Sequence, residues 1–486
     1  MPNRLFGRVP ITAVSKYLTK RVESAVAEDG DSDGGDDEGG DGQGVDGTEL
    51  ASRFSVGQYV RAHVLSTMDE DTTNSGRGKK HIELSLLPEL ANSGLEAKDL
   101  VQNCTVMASV ESAEDHGYVM DISISGSNIR GFLAKKEVDP GVAEERMNVG
   151  STLLCIVGDK GSRKKTVQLS TLPTKLGTVA HIASDATTIN TFLPGTAVEV
   201  LVSDVLGRGL VGKVMGSLDV TADLFHSGAG PDGTDLDVKY KVGSKFRARV
   251  ICNFPSASKP KLGVSVLPHI ASLEAKTTTD HGKQKLPLDA LASSAIVERC
   301  TITKVQSGVG VFVDVGVTGV SGFVPMAKLS DARVDSLFED SGPFKVGSEH
   351  RGRVIGYSAV DGLFSLSFEK HILEQQYLRV ADIPVGEVVH GQVDRFVFNE
   401  KGVGGMIVHL ADGISGLVPA THFSDVQLKD PEAKFRKGNK VKARVLSADP
   451  VKNQLKLTLK KTLVNSEDPA LCSYDQLGVG MKSLAT

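Results

Sequence analysis

The chain has 486 residues, with 52 glycines, 40% hydrophobic residues, 5% aromatic residues and no tryptophan. At roughly 100–200 residues per domain this length predicts about three or four domains, and the glycine excess favours several small β-rich domains over a few large ones. The formal net charge of −5 argues at first against nucleic-acid binding. The composition also excludes a collagen-like or wholly disordered chain.

The sequence shows no sign of export or membrane insertion. No apolar run approaches the ~18 residues of a membrane-spanning helix, and residues 1–14 lack the apolar core of a secretory signal. The cysteines are widely spaced and never form a C-x-x-C pair; they lie at positions 104, 155, 252, 300 and 472. This pattern predicts buried thiols in a soluble, intracellular protein, not a disulfide framework or a zinc site.

An acidic insert at 28–47 hides the charge of the rest of the chain. It contains nine carboxylates, no basic residue and almost nothing that could be buried, so we expect a solvated, disordered loop. Such a loop is either a solubilising tether or an acidic tail that binds a partner. Without the insert the formal charge is +4, so the folded part is predicted to be mildly basic.

An internal repeat accounts for most of the chain. Its first mark is a glycine followed by a β-type run that ends in valine, as in VGSKFRARV (242–250). The five glycines, at intervals of 93, 93, 104 and 91 residues, are Gly57, Gly150, Gly243, Gly347 and Gly438. Its second mark is a hydroxyl residue 20 to 28 positions later; these residues are Ser85, Ser170, Ser265, Ser367 and Thr458. The last two strands of every unit should therefore share one geometry.

A third phrase lies upstream of these marks, as GFLA (131–134), GFVP (322–325) and GLVP (416–419). Alternating strands precede it, and period-2 alternation dominates each unit. Five short strands in about 90 residues predict an all-β chain of small Greek-key, five-stranded barrels. The segment 327–338 predicts one short helix inside a unit.

The repeats predict the domain boundaries. They are an incomplete repeat one at 1–91, repeat two at 97–174, repeat three at 190–270, repeat four at 293–372, repeat five at 383–463 and the start of repeat six at 471–486. Residues 1–10 match only the third strand of a unit, through GRVP (7–10). We therefore expect the chain to begin inside one unit of a longer array and to stop at the threshold of another.

These units resemble the S1-motif RNA-binding domain, a member of the OB-fold class. The likeness rests on GFVPMAKLSD (322–331), GLVPATHFSD (416–425), VGSKFRARV (242–250) and QLKLTLKK (454–461). The inter-repeat phrases at 363–389 and 455–481, and the segment 114–137, resemble the N-terminal S1 array of the eukaryotic ribosomal RNA-processing protein five family. The resemblance therefore implies tandem OB-fold/S1-type barrels over nearly the whole chain.

The same resemblance implies a function. It implies a non-enzymatic ribosome-biogenesis factor of the nucleolus that binds precursor ribosomal RNA and scaffolds pre-ribosomal assembly proteins. It implies no cofactor, membrane or small-molecule substrate. The alternative is a scaffold that mainly binds proteins, with RNA touching only one or two repeats.

RNA binding by such a domain needs aromatic faces for stacking and cations along the backbone. The usual S1 platform has aromatic residues around the glycine that starts the second strand, and a histidine after the third strand. The candidates at or near these places are His116 in repeat two, Arg208 in repeat three, Phe312 in repeat four and His422 in repeat five. Repeat five has Val403 and Met406 at the two strand places, so the platform is largely eroded.

Cations persist better than aromatic residues. From Lys434 to Lys461 there are ten basic residues and one acid, Asp449. Alternation places Lys440, Lys442 and Arg444 on one face of a strand, which is either a phosphate-tracking stripe or an ordinary solvated face. Further candidates for phosphate contact are Lys452, Lys135, Lys136, Arg351 and Arg353.

Two segments match enzyme motifs in part, but each lacks residues that the motif requires. GRGLVGK (207–213) fits G-x-x-x-x-G-K, but valine follows where a P-loop needs serine or threonine, and a strand continues where it needs a helix. GVGVFVDVG (308–316) lacks the third glycine of a dinucleotide site. The sequence contains no H-E-x-x-H and no G-x-S-x-G. We therefore predict no catalytic site and no metal site.

Overall fold

The structure, a computed structural model, describes residues 5–29, 50, 52–69, 80–142, 146–158, 165–180, 189–229, 235–280, 283–399, 402–411, 413–426, 428, 430–449 and 454–466. The acidic insert lies outside the described residues from position 30 onward, as do Lys452, Cys472 and the expected start of repeat six. By internal contacts the chain forms two compact units: Met1–Ala290 with Val317–Ser321 and Tyr357–Leu363, and Leu291–Gly316 with Gly322–Gly356 and Phe364–Thr486.

The described chain is predominantly β, as predicted, and contains four closed five-stranded barrels. Repeat one contributes β1 (His63–Asp69) and β2 (Lys80–Ser85). Repeat two contributes β3 (Thr105–Glu114), β4 (Gly117–Asp121), β5 (Arg130–Ala134), β6 (Thr152–Val157) and β7 (Thr166–Ser170). Repeat three contributes β8 (Ala197–Leu206), β9 (Gly209–Val214), β10 (Leu218–Asp223), β11 (Lys245–Phe254) and β12 (Lys261–Ser265).

A small hairpin precedes the last two barrels; it consists of β13 (Thr278–Asp280) and β14 (Lys283–Lys285). Repeat four contributes β15 (Ile296–Gln306), β16 (Gly310–Asp314), β17 (Ser321–Pro325), β18 (Glu349–Ser358) and β19 (Leu363–Ser367). Repeat five contributes β20 (Val388–Asn399), β21 (Gly402–Ala411), β22 (Ile414–Pro419), β23 (Lys440–Asp449) and β24 (Gln454–Thr458).

Every barrel has the same strand order, in which the first strand pairs with the second and fourth, and the third pairs with the fifth. The third and fifth strands run parallel in repeats two, three and five. Repeat one keeps the matching fragment: Arg8 bridges in parallel to Glu83, and its N–H donates to the Ile82 carbonyl at 2.9 Å. Residue 8 therefore pairs with β2 of repeat one in the way that the third strand pairs with the fifth in the barrels.

Helices are mostly single turns between strands. They are α1 (Lys16–Asp29), α2 (Pro88–Ala91), α3 (Pro173–Leu176), α4 (Leu236–Lys239), α5 (Pro268–Ser272), α6 (Pro287–Ala290), α7 (Lys370–Glu374), α8 (Pro431–Lys434) and α9 (Lys461–Val464). The prediction of a short helix within 327–338 is wrong, because the segment contains only the end of a 3-10 turn, Met326–Lys328. Among the described residues, no helix has the length and apolar character that crossing a membrane requires.

The repeated hydroxyl residues tie the end of each fifth strand to the turn after the third strand. Each hydroxyl oxygen accepts the N–H of the residue two positions later at 3.2 Å; the oxygens belong to Ser85, Ser170, Ser265, Ser367 and Thr458. The residue after the hydroxyl donates its N–H to a carbonyl of that turn at 2.8–2.9 Å; the acceptors are Ala13, Glu137, His226, Lys328 and His422. This shared bond explains why the spacing recurs.

Inward-facing side chains fill each barrel. In repeat two, Tyr118 is 7% exposed and packs with Met120 and Leu133 in the core. Alternation along β4 therefore places the Tyr118 side chain on the core side of the strand. In repeat five, Met406, Val408 and Leu457 occupy the core. Exposed residues on the alternate positions of the strands are therefore the ones available to a ligand.

Candidate nucleic-acid interface

The glycine that begins the second strand sets the register of the stacking platform. A Cβ on Gly310 would lie 2.2 Å from the Val324 carbonyl oxygen, which is too close for any side chain. Gly117 has the same close approach to its third strand and pairs with Ala134. Gly405, not Gly404, is the equivalent in repeat five, because it pairs with Pro419 at the end of the third strand.

This register corrects the platform positions of repeat five. The β20–β21 pairing shifts by one residue between Val397 and Phe398. The shift moves the platform places from Val403 and Met406 to Gly404 and Ile407. Met406 is fully buried in the core, and neither Gly404 nor Ile407 is aromatic. Repeat five therefore has no aromatic residue at either platform position. The two positions differ from the pair that the sequence pattern indicated.

In repeat two the structure brings three candidates into two neighbouring turns. His116 is exposed in the turn between β3 and β4. The Lys135 N–H donates to the His116 carbonyl at 3.1 Å, and Lys135 and Lys136 are exposed in the next 3-10 turn. Arg208 is exposed at the corresponding turn of repeat three. An exposed imidazole with two exposed lysines in the adjoining turn can stack a base and hold a phosphate.

The structure corrects the assignment of Phe312. Its side chain is fully buried, and its ring lies edge-on to Phe323 at a centroid distance of 5.1 Å. A ring without exposed surface cannot stack on a base. Phe323 is also fully buried, as expected of a core aromatic residue, whereas its counterpart Phe132 in repeat two is only half-buried.

The assignment of Arg353 and Arg444 to phosphate is corrected too. Arg353 is 5% exposed and donates to the carbonyls of Ser294 at 3.1 Å and Ile372 at 2.9 Å. Arg444 is half-buried and donates to the carbonyls of Gly386 at 2.7 Å and Leu463 at 2.9 Å. Both guanidinium groups therefore satisfy carbonyl groups of the short helix after the fifth strand and of the turn before the first strand.

Arg249 in repeat three occupies the same position. It is 1% exposed and donates to the carbonyls of Gly195 at 2.6 Å and Leu176 at 3.0 Å. Burial lowers the pKa of Arg249 to about 10 and also lowers the pKa of Arg353. The recurring arginine near the end of the VGSKFRARV-type phrase is therefore a structural clamp: its guanidinium joins two main-chain segments by donating hydrogen bonds to their carbonyls. The sequence pattern could not separate it from the exposed cations two residues earlier.

Exposed cations of the fourth strand differ between repeats in what faces them. In repeat three, Lys245 Nζ lies 2.8 Å from Glu199 on the first strand. In repeat four, Arg351 lies 2.9 Å from Glu298, also on the first strand. These cations remain exposed, but a neighbouring carboxylate already neutralises them.

In repeat five the fourth-strand cations have no such partner. Lys440 and Lys442 are exposed and pair across the sheet with Gln392 and His390, which are also exposed. In the described part of the chain, no carboxylate forms an ion pair with either lysine. Alternate residues of paired strands share a face, so Lys440, Lys442 and His390 form one outward surface that carries positive charge.

His422 takes part in the fold and also keeps some exposed surface. It is half-buried, and its Nδ1 hydrogen-bonds with Thr458 Oγ1 at 3.1 Å, at the end of the fifth strand. Burial, with a smaller effect of Lys460, lowers the pKa of His422. The ring is therefore neutral at pH 7 and can offer a flat face but not a charge.

Within the described ranges, one group of side chains has the atoms to hold a cation: Asp331, Glu369 and His371. Asp331 hydrogen-bonds with the His371 ring and accepts the Lys370 N–H at 3.0 Å. Asp425 does the same in repeat five, where it accepts the Lys461 N–H at 3.0 Å. Because the acidic residue binds a helix start in both repeats, its position serves local structure.

Comparison with known proteins finds that this chain is similar to one family in particular. A model of the RRP5 S1 domain matches residues 386–459, and a model of the RRP5 OB-fold domain matches residues 286–378. The rRNA biogenesis protein rrp5 of Schizosaccharomyces pombe is 39% identical over 100% of this chain and 27% of its own length. The RRP5 homolog of Homo sapiens is 29% identical over 99% of this chain and 24% of its own length. Residues 286–378 and 386–459 are therefore RRP5-type OB-fold and S1 domains, and the similarity to RRP5 proteins extends along the whole chain.

The RRP5 relatives named above are much longer than this chain, which spans about a quarter of their length. S1 repeats outside the RRP5 family also match: the small ribosomal subunit protein bS1 of Leuconostoc lactis is 28% identical over 51% of this chain and 52% of that protein. The segment matched by the RRP5 S1 model contains Lys440 and Lys442, so the cationic surface lies within an RRP5 S1 barrel.

Sequence reasoning missed two features of this RRP5 barrel. One is the outward pairing of His390 and Gln392 with the two lysines, which needs the strand register. The other is Phe398, which is 63% exposed near the tip of the β20–β21 hairpin. Phe398 lies outside the usual platform positions, so the sequence pattern gave no signal for it.

Proposed function

We propose that this chain is a non-enzymatic segment of a ribosome-biogenesis factor that binds precursor ribosomal RNA in the nucleolus. Repeat five makes the principal backbone contact, and repeat two makes a weaker one through His116, Lys135 and Lys136. Tethering weak contacts on one chain raises the overall affinity, because each bound repeat raises the effective concentration of the next.

The cationic surface of repeat five is the observation that supports this function. Repeats three and four place a glutamate opposite their fourth-strand cations, whereas repeat five places Gln392 and His390 there. A lysine without a competing carboxylate gains more from a phosphate, because no ion pair has to be broken first. RNA is therefore expected to follow Lys440 and Lys442.

Salt dependence tests the proposal. On single strands each neutralised phosphate contributes about −0.7 to the slope of log K against log salt. The double variant Lys440→Ala/Lys442→Ala should therefore flatten the slope by about 1.4 and weaken binding at low salt. The measurement is fluorescence anisotropy of a labelled single-stranded RNA with the 486-residue chain.

The matched control is Arg351→Ala in repeat four, where Glu298 already pairs with the cation. It should leave the slope within about 0.3 of the unsubstituted chain. An unchanged slope in the double lysine variant, with normal folding, would remove repeat five as the RNA contact.

A second function, scaffolding of assembly proteins, is favoured for repeats three and four. Their fourth-strand cations face carboxylates, and Phe312 offers no stacking surface. Crosslinking of the native assembly should join repeat five to RNA and repeats three and four mainly to protein. RNA crosslinks concentrated on repeats three and four would reverse this division.

A further inference from the structure

The β20–β21 hairpin of repeat five extends further than its counterparts. In repeat two the last pair of this hairpin is Glu114 with Gly117, and in repeat four it is Gln306 with Gly310. In repeat five the equivalent pair, Val397 with Gly405, is followed by two more. The extension lifts Phe398 beyond the usual end of the hairpin.

The extended tip exposes apolar surface. Phe398 is 63% exposed and Val397 is 37% exposed. Phe396, two residues earlier, packs instead against Phe423 at a centroid distance of 6.1 Å. Phe398 is therefore not needed to fill the barrel, and an exposed ring at a hairpin tip is a feature that marks binding surfaces.

A basic loop lies against the base of this hairpin. The Gly438 N–H donates to the Val393 carbonyl at 2.7 Å, and Lys437 Nζ lies 3.6 Å from Asp394. Lys434 and Arg436 in the same loop are exposed. Aligned on the repeat glycine, repeat four has Pro343, Lys345 and Val346 at these three places, so repeat five carries three cations beside this hairpin where repeat four carries one.

We infer that Phe398 and the loop Lys434–Lys437 form a second contact for single-stranded RNA, in which one base stacks on the phenylalanine ring and neighbouring phosphates contact Arg436 and Lys434. An aromatic face together with cations that contact the backbone is the usual chemistry of single-strand recognition. It takes the place of the platform, whose positions in this barrel hold Gly404 and Ile407. The inference rests on the proposed RNA-binding function and adds the base contact to its backbone contact.

The absence of tryptophan from the chain allows a direct test. Phe398→Trp would introduce the sole tryptophan, whose emission a stacked base should quench. The probe is an oligouridine of about twelve nucleotides, within the usual footprint of an OB fold, and an abasic strand of equal length is the backbone control. Phe338→Trp, at a residue of repeat four that is 60% exposed, is the matched site control.

We expect oligouridine to quench the emission of Phe398→Trp, the abasic strand to leave it unchanged, and Phe338→Trp to respond to neither. Phe398→Leu, which keeps the bulk but not the π-face, should weaken oligouridine binding about tenfold. The inference is overturned, while the proposed function stands, if Phe398→Leu binds normally and the tryptophan emission does not change. If the unsubstituted chain binds no RNA at low salt, both are overturned.

Discussion

Three basic residues on one strand show how lysine and arginine serve different roles. Lys440, Lys442 and Arg444 alternate along β23, yet only the two lysines remain free for solvent, because Arg444 reaches main-chain carbonyls. A guanidinium has five N–H donors in a fixed fork, which suits the carbonyls left over at a helix end. A lysine at the same place could satisfy fewer of them.

Replacing Arg444 tests this structural role. Arg444→Ala leaves the carbonyls of Gly386 and Leu463 without their donor, and we expect it to lower the free energy of unfolding of repeat five by about 2–3 kcal/mol. Urea denaturation followed by hydrogen exchange of the β23 and β24 amides would measure this change. Lys442→Ala, two residues away and exposed, should change it by less than about 0.5 kcal/mol. Equal effects of the two substitutions would contradict the clamp.

At the scale of the element, the hydroxyl at the end of each fifth strand fixes the turn that follows. Ser367 is fully buried, accepts the Glu369 N–H at 3.2 Å and donates to the Glu369 carboxylate at 2.8 Å. The same N–H bond recurs in all five repeats, including the incomplete first one. A small polar side chain is therefore required at a position that otherwise reads as part of an apolar strand.

Removal of this hydroxyl should loosen one barrel. Ser367→Ala leaves a buried N–H without its acceptor, which costs about 1–3 kcal/mol, and we expect a lower urea midpoint for repeat four. Loss of amide-exchange protection in β19 would locate the effect. Ser336→Ala, an exposed serine of the same repeat, is the control and should leave the midpoint unchanged. Equal midpoints for both variants would show that the hydroxyl is dispensable.

At the scale of the whole molecule, the described thiols are distributed over three barrels and are buried, except that of Cys252, which is half-buried. Cys104 and Cys155 lie in repeat two, Cys252 in repeat three and Cys300 in repeat four. Burial raises the pKa of Cys155 to about 12 and that of Cys252 to about 11. Because the thiolate is the reactive form, these cysteines should react only when their barrel opens.

Thiol reactivity therefore reports on global stability. In a Cys472→Ser variant, the four described thiols should react with Ellman's reagent at pH 8 at least about a hundredfold more slowly than in urea. The pKa of a thiol is about 9 in the unfolded chain and higher in the folded one. Folding therefore favours the neutral thiol, and the free energy of unfolding decreases as pH rises from about 9 toward 12. Rapid reaction of four thiols in the native variant would contradict this burial.

The overall charge is informative only when it is divided by region. The net value of −5 comes from one acidic insert added to a chain that otherwise carries +4. Within the barrels, the sign and position of each charge matter more than the net charge. Lys245 and Arg351 face glutamates, whereas Lys440 and Lys442 do not. A binding surface is therefore set by local pairing and not by the isoelectric point.

The sequence by itself determined the repeat and the all-β barrel class, because both depend on local patterns: glycines where strands cross, period-2 alternation and a hydroxyl at a fixed spacing. Only the tertiary structure decided which side chains are available to RNA. Burial of Phe312, the clamp of Arg444, the one-residue shift that moves the platform off Met406 and the exposure of Phe398 all depend on which strand lies opposite. Such cross-strand neighbours are far apart in sequence, so no local pattern records them.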